Sequence, residues 1–201
     1  MMFLSWNLPM YEMRKDVKQK IGLDDLVDYV NLPADAEVAE VGVYRGESCR
    51  IWAENYRTVW AIDPWWENVT WAPKLSNAAQ LNKAISLGIE NLSDLFTVDI
   101  EKDFDTMCKS YPNINKIKAT SATAASLFDN HSLDMVYIDG DHSYLSVMED
   151  LSLWINKIKE SGWIAGHDYS SEFHPNVIKA VNDYLGEPDE VFIDSSWVIK
   201  L

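Results

Sequence analysis

Residues 133–144, LDMVYIDGDHSY, constrain the fold of this chain more than any other stretch. Leu133, Met135, Val136, Tyr137 and Ile138 leave little room for solvent on either face, so the run reads as a central parallel strand covered by helices on both sides. It stops at Asp139, Gly140, Asp141 and His142. In open α/β sheets ligands bind just beyond the carboxyl ends of strands, so two carboxylates and an imidazole there mark a site. The alternative is a polar turn that caps a helix starting near Ser143, a role that needs no titratable imidazole.

On both sides of this strand the chain repeats a strand-and-helix pattern. Ile21, Leu23, Leu26, Val27 and Val30 fall at helical spacing and predict a helix over one edge or face of the sheet. AEVAEVGV, with Val38, Val41 and Val43, predicts a first strand running into a glycine turn at Gly46, and ESCRIWAENY a helix with Glu47 in its first turn. TVWAID, residues 58–63, is a second strand ending on Asp63. Further on, 98–110 predicts a helix, 114–121 a strand and 122–128 a short helix. Residues 143–158 predict a helix whose Leu145, Val147, Leu151, Leu153 and Trp154 form an apolar face. GWIAGHDY is a strand delivering His167 and Asp168 to the same edge as Asp139, and a helix over 176–185 follows. EVFID and WVIKL close the chain, and the short turn around Ser195 forces them to pair antiparallel. The connection after Asp63 is unusually long, with a helix predicted near 77–86. Its Trp65, Trp66 and Trp71 either cover a substrate site or fill core.

With 201 residues, 47% of them hydrophobic, one domain with a sizeable core is expected and disorder is not. The net charge of −15 argues against nucleic acid and anionic membranes as partners, since Lys116 and Lys118 are too small a basic cluster to reverse it. Cys49 and Cys108 have no metal-type spacing and read as reduced thiols of a cytoplasmic protein, neither of them catalytic. No leader pattern or membrane-spanning run is present, so a soluble, untargeted protein is expected.

The turn Glu40-Val41-Gly42-Val43-Tyr44-Arg45-Gly46 lacks the middle glycine of the dinucleotide fingerprint, which disfavours a nicotinamide-dependent oxidoreductase. Gly42 would let the backbone lie against a ligand, Glu40 would take hydrogen bonds from a cationic amine, and Asp63 would hold a ribose diol. No P-loop supports phosphoryl chemistry. Together with the closing hairpin, these features resemble the class I S-adenosylmethionine-dependent methyltransferases. IDGDHSY, GWIAGHDY and VIKAVNDYL are similar to the small-molecule O-methyltransferases related to macrocin O-methyltransferase, over roughly residues 36–201.

That resemblance implies a Rossmann-like α/β fold: a doubly wound seven-stranded sheet, order 3-2-1-4-5-7-6, strand 7 antiparallel, helices on both faces. Residues 1–35 would be an N-terminal helical extension and 36–201 the methyltransferase domain, with 64–97 an insertion over the site. The activity implied is methyl transfer from S-adenosylmethionine to a hydroxyl of a small molecule, a sugar or glycosylated metabolite among the options. Glu40, Gly42, Gly46, Asp63, Ser121 and Ala122 would bind the cofactor, with the adenine near Ser121 and Ala122 in the loop after strand three. Asp139, His167 and Asp168 would hold a divalent cation, magnesium or manganese, and His142 would be the base. His167 stands where a carboxylate is usual in such sets, which favours softer ions. A non-catalytic cofactor-binding or assembly protein on the same fold is the competing reading. Homo-oligomerisation, with the N-terminal 35 residues as a pairing element, is left open.

Overall fold

The computed structural model describes residues 17–66, 100–170 and 172–201. Residues 67–97 of the expected insertion, its helix near 77–86, Trp71 and the first 16 residues lie outside the described residues. Seven strands form one sheet in the order β3-β2-β1-β4-β5-β7-β6. They are β1 (Glu37–Val41), β2 (Thr58–Asp63), β3 (Ile114–Lys118), β4 (Leu133–Ile138), β5 (Ile158–Gly166), β6 (Glu190–Val191) and β7 (Trp197–Lys200). The first five pair in parallel, while β7 runs antiparallel to both β5 and β6. The implied strand order and the antiparallel closing pair are both present.

The helices explain why β4 is apolar on both faces apart from Asp134. Leu23, Leu26 and Val30 of α1 (Val17–Val30) pack on one face of the sheet. Trp52 of α2 (Glu47–Asn55) and Phe104 of α3 (Ile100–Cys108) belong to the same core. The other face is covered by α4 (Ser121–Ala125), α5 (Tyr144–Trp154) and α6 (Pro175–Tyr184), through Ala124, Val147, Leu151, Trp154, Val177 and Val181. With apolar side chains buried on both faces, a central strand has no reason to alternate. Among the described residues no helix is long and apolar enough to cross a membrane.

Three expectations change. The helix expected over 143–158 ends at Trp154 and tightens into a 3-10 turn over Ile155–Lys157. Its buried face is Val147, Asp150, Leu151 and Trp154, whereas Leu145 is 78% exposed, so a carboxylate occupies a position on the sheet-facing stripe. β5 starts at Ile158 rather than Gly162, with an irregularity opposite Leu133 and Met135, and it ends before His167 because Asp168 turns the chain with a φ of 62°. β6 is only two residues long. The backbone leaves it for a turn in which Phe192 donates its N–H to the Ser196 carbonyl at 2.8 Å.

Candidate active site

The carboxyl ends of β3, β2, β1, β4 and β5 line one cavity of about 1060 Å³, room for a cofactor-sized ligand and a small acceptor together. At the end of β1, Gly42 has a φ of 87°, and a Cβ there would stand 2.2 Å from the carbonyl oxygen of Asp139. Glycine is thus required by the close approach of the β1 and β4 ends, and not only by a ligand. Asp63, at the end of β2, accepts from the N–H groups of Val43 and Tyr44 at 2.9 Å each and from that of Trp65 at 2.7 Å. It fastens the glycine turn and also lines the cavity.

Two residues expected to bind cofactor do not line the cavity. Glu40 is fully buried and takes the Ser48 hydroxyl on Oε1. Burial pushes its carboxyl well above the usual carboxylate range, and Oε2 has no partner. Its reach to a ligand runs through Ser48, which does line the cavity. Gly46, with a φ of 88°, backs onto Phe104 and Met107, so it serves the packing of α2. Ser121 and Ala122 do line the cavity, but as the first turn of α4 and not as loop residues. The tryptophans divide: Trp65 stacks on Phe104 in the core, whereas Trp66 is 69% exposed at the cavity.

Beyond β4 and β5 the chain brings Asp139, His142, His167 and Asp168 together, as their positions at adjacent strand ends require. His142 Nε2 lies 2.8 Å from Asp168 Oδ2 and 3.6 Å from Asp139 Oδ1. His167 Nδ1 lies 3.2 Å from Asp168 Oδ1 and 3.8 Å from Asp139 Oδ1. The cap of α5 is made by its neighbours. Ser143 takes the N–H of Ser146, and Asp141 takes the N–H of Ser143 at 2.7 Å, which lowers the Asp141 pKa. His142 is therefore not the capping residue.

Contacts with Asp139 and Asp168 hold the His142 proton up to about 10. Burial alone would lower the His167 pKa, but Asp168 and Asp139 outweigh it and hold it up to about 9. Asp168 is pulled well below the carboxylate range by the two imidazoles, against the effect of burial. Asp139 stays somewhat raised by its own burial.

Sequence reasoning missed His174, the residue before α6. Its Nε2 lies 3.6 Å from Asp168 Oδ1, and its ring centroid 4.5 Å from that of His142. A histidine directly before Pro175 was the available signal.

The donor set fits a divalent cation. Asp139, His167 and Asp168 can offer ligand atoms within 4.8 Å of one another, and so can His142, Asp168 and His174. Donors around one ion at about 2.1 Å stand roughly 3.0 to 3.4 Å apart, close to the spacings found here. His142 Nε2, which faces Asp139 and Asp168, is buried without a partner in hydrogen-bond geometry, while His167 turns Nδ1 toward the same carboxylates and Nε2 toward Asp194 Oδ2, 3.8 Å away.

Sheet order and strand-end cavity define a doubly wound α/β domain with its ligand site beyond the carboxyl ends of the strands. A family model described as a methyltransferase domain matches residues 39–169, from β1 to just past β5, and the chain belongs to that family. It carries a methyltransferase domain, as the sequence motifs imply. A mimivirus protein of undescribed function, R132 of Acanthamoeba polyphaga mimivirus, is 33% identical over 58 residues, 28% of this chain and 26% of its own, so the match spans about a quarter of that relative. The cofactor-bound structure of Rv0187 from MTB superposes with a TM-score of 0.60 at 10% identity, over 96% of this chain and 84% of that one. The O-methyltransferase NovP does so with 0.54 at 20% identity, over 90% and 76%. At these identities the likeness is one of fold.

Proposed function

We propose that the protein transfers the methyl group of S-adenosylmethionine to a hydroxyl oxygen of a small molecule, with a divalent cation assisting. The observation that carries this reading is the meeting of Asp139, His142, His167 and Asp168 in the same cavity as Gly42 and Asp63. The cofactor would lie along the ends of β3, β2 and β1, its ribose at Asp63, which brings its sulfonium toward β4. Asp139, His167 and Asp168 would hold the cation. Such an ion orients an acceptor hydroxyl and lowers its pKa. His142 would take the proton. It serves as a base only when neutral, so the two carboxylates that hold its proton must be engaged elsewhere.

Among the described residues no Lys or Arg lines the cavity, while Asp63, Asp139, Asp141, Glu149, Asp150 and Asp168 do. This lining suits a cationic sulfonium and a neutral or cationic acceptor, such as a sugar or an amino sugar, and opposes phosphates and carboxylates. The division into an extension over 1–35 and a methyltransferase domain over 36–201, with 64–97 covering the site, belongs to the same reading. The packing of α1 on the sheet supports a fixed position for residues 17–30 of it.

The test is a screen of hydroxylated metabolites with methyl-labelled S-adenosylmethionine, the product identified by carbon NMR. A methyl ether formed by metal-loaded protein and not by chelator-treated protein is expected. A methylated nitrogen or carbon, or full activity in chelator, would refute the corresponding part of the reading.

A further inference from the structure

Asp150 is unusual for its place. It lies on the sheet-facing stripe of α5, is 7% exposed, and still lines the cavity. An apolar residue would suit that stripe better, since a buried carboxylate costs free energy unless something donates to it. The donor at hand is Ser121, whose hydroxyl lowers the Asp150 pKa against the larger effect of burial. Ser121 Oγ accepts from Trp154 Nε1 at 2.8 Å, which leaves its own hydrogen free to be donated. Asp150 Oδ2 lies 3.6 Å from where a Cβ of Gly140 would stand, beside a residue that also lines the cavity.

The position along the sheet says what this oxygen meets. From the end of β3 to the end of β5 the cavity crosses four strand gaps, about 19 Å at roughly 4.8 Å each. The ion-holding groups occupy the β4–β5 end and Asp63 the β2 position. The part bounded by Thr120, Ser121, Ala122, Ser146, Glu149 and Asp150 is left for the base attached to the ribose. We propose that Asp150, held by Ser121, accepts a hydrogen bond from the exocyclic amine of the cofactor's adenine, and so selects adenine over a purine with a carbonyl at that position. This rests on the cofactor reading above and adds a specificity-determining residue to it.

The test is calorimetric binding of S-adenosylhomocysteine and S-inosylhomocysteine, in which a carbonyl oxygen replaces the amine and N1 gains a hydrogen. Wild-type protein should favour the adenosine compound by at least about tenfold, because the carbonyl would face the carboxylate oxygen with no hydrogen between them. An Asn amide can serve either base, so Asp150→Asn should narrow the preference to within about threefold. Asp150→Ala should weaken the adenosine compound and lose the preference as well. Equal affinities in the wild type, which requires no variant, overturn the proposal, and so does an undiminished preference in a folded Asp150→Asn protein. Both results leave the cofactor reading standing. Failure of the wild type to bind either compound overturns the two together.

Discussion

His142 Nε2 and Asp168 Oδ2 stand 2.8 Å apart, although they leave different strands and are not aligned as a hydrogen bond. Without a cation, this contact and that with Asp139 keep His142 protonated to about pH 10. A histidine whose folded pKa is raised contributes stability that is fully present below its unfolded pKa near 6.5 and is lost as pH rises through the folded value. Chelator-treated wild type should therefore lose melting temperature between about pH 6.5 and 10 relative to His142→Asn. Parallel pH profiles for the two proteins would show that the pair is not coupled in solution.

As the base, His142 must be neutral. His142→Ala should lose on the order of 10² to 10⁴ in turnover while binding cofactor as before, and the rate of the wild type should fall as pH drops. A His142→Asn protein that keeps most of its rate and the same acid limb would remove His142 from the catalytic groups.

The mixed nitrogen and oxygen donors predict a preference for manganese, cobalt or zinc over magnesium. Titration of metal-free protein should show Asp168→Ala losing the ion, since Asp168 faces His142, His167 and His174. His174→Ala should weaken cobalt binding more than magnesium binding. Equal affinity for magnesium and cobalt would mean that the imidazoles are not ligands.

Asp63→Ala should weaken S-adenosylmethionine by roughly 1.5 to 3 kcal/mol. It should also lower the melting temperature, because Val43, Tyr44 and Trp65 lose their acceptor. Unchanged affinity in a folded variant would place the ribose elsewhere. Gly42→Ala should cost more than about 2 kcal/mol of stability by denaturant titration, as its Cβ meets the Asp139 carbonyl.

The site was legible where sequence and topology coincide. An apolar run ending in polar residues can be read locally, so Asp139, His142, His167 and Asp168 were visible from the sequence before any sheet was known. His174 and Asp150 were not, because one stands just before a helix and the other on one, and the placement of both helices depends on tertiary packing. Leu145 and Asp150 show the limit: at 100° per residue Leu145 stands on the far side of α5 from Val147, Leu151 and Trp154 and Asp150 stands beside them, so the leucine faces water and the carboxylate the cavity, the reverse of what their polarity suggests. Gly42 was read as a cofactor contact, whereas the approach of β4 already dictates it.

Burial raises the Asp150 pKa to about 6, from an ordinary 3.8. An acid whose folded pKa lies above its unfolded one favours the fold while protonated, so its contribution is present below about pH 3.8 and is lost as pH rises through about 6. At 1.36 kcal/mol per pH unit across that window, the loss by neutral pH is at most about 3 kcal/mol. Asp150→Asn has the same shape and no charge. It should match the wild type near pH 4 and exceed it in stability at pH 7 to 8, as followed by urea unfolding at both pH values. Bound S-adenosylhomocysteine should narrow the difference, since the adenine amine would give the ionised carboxylate its missing donor. A variant less stable than the wild type at pH 7 without ligand would show that the buried charge is already fully compensated by Ser121.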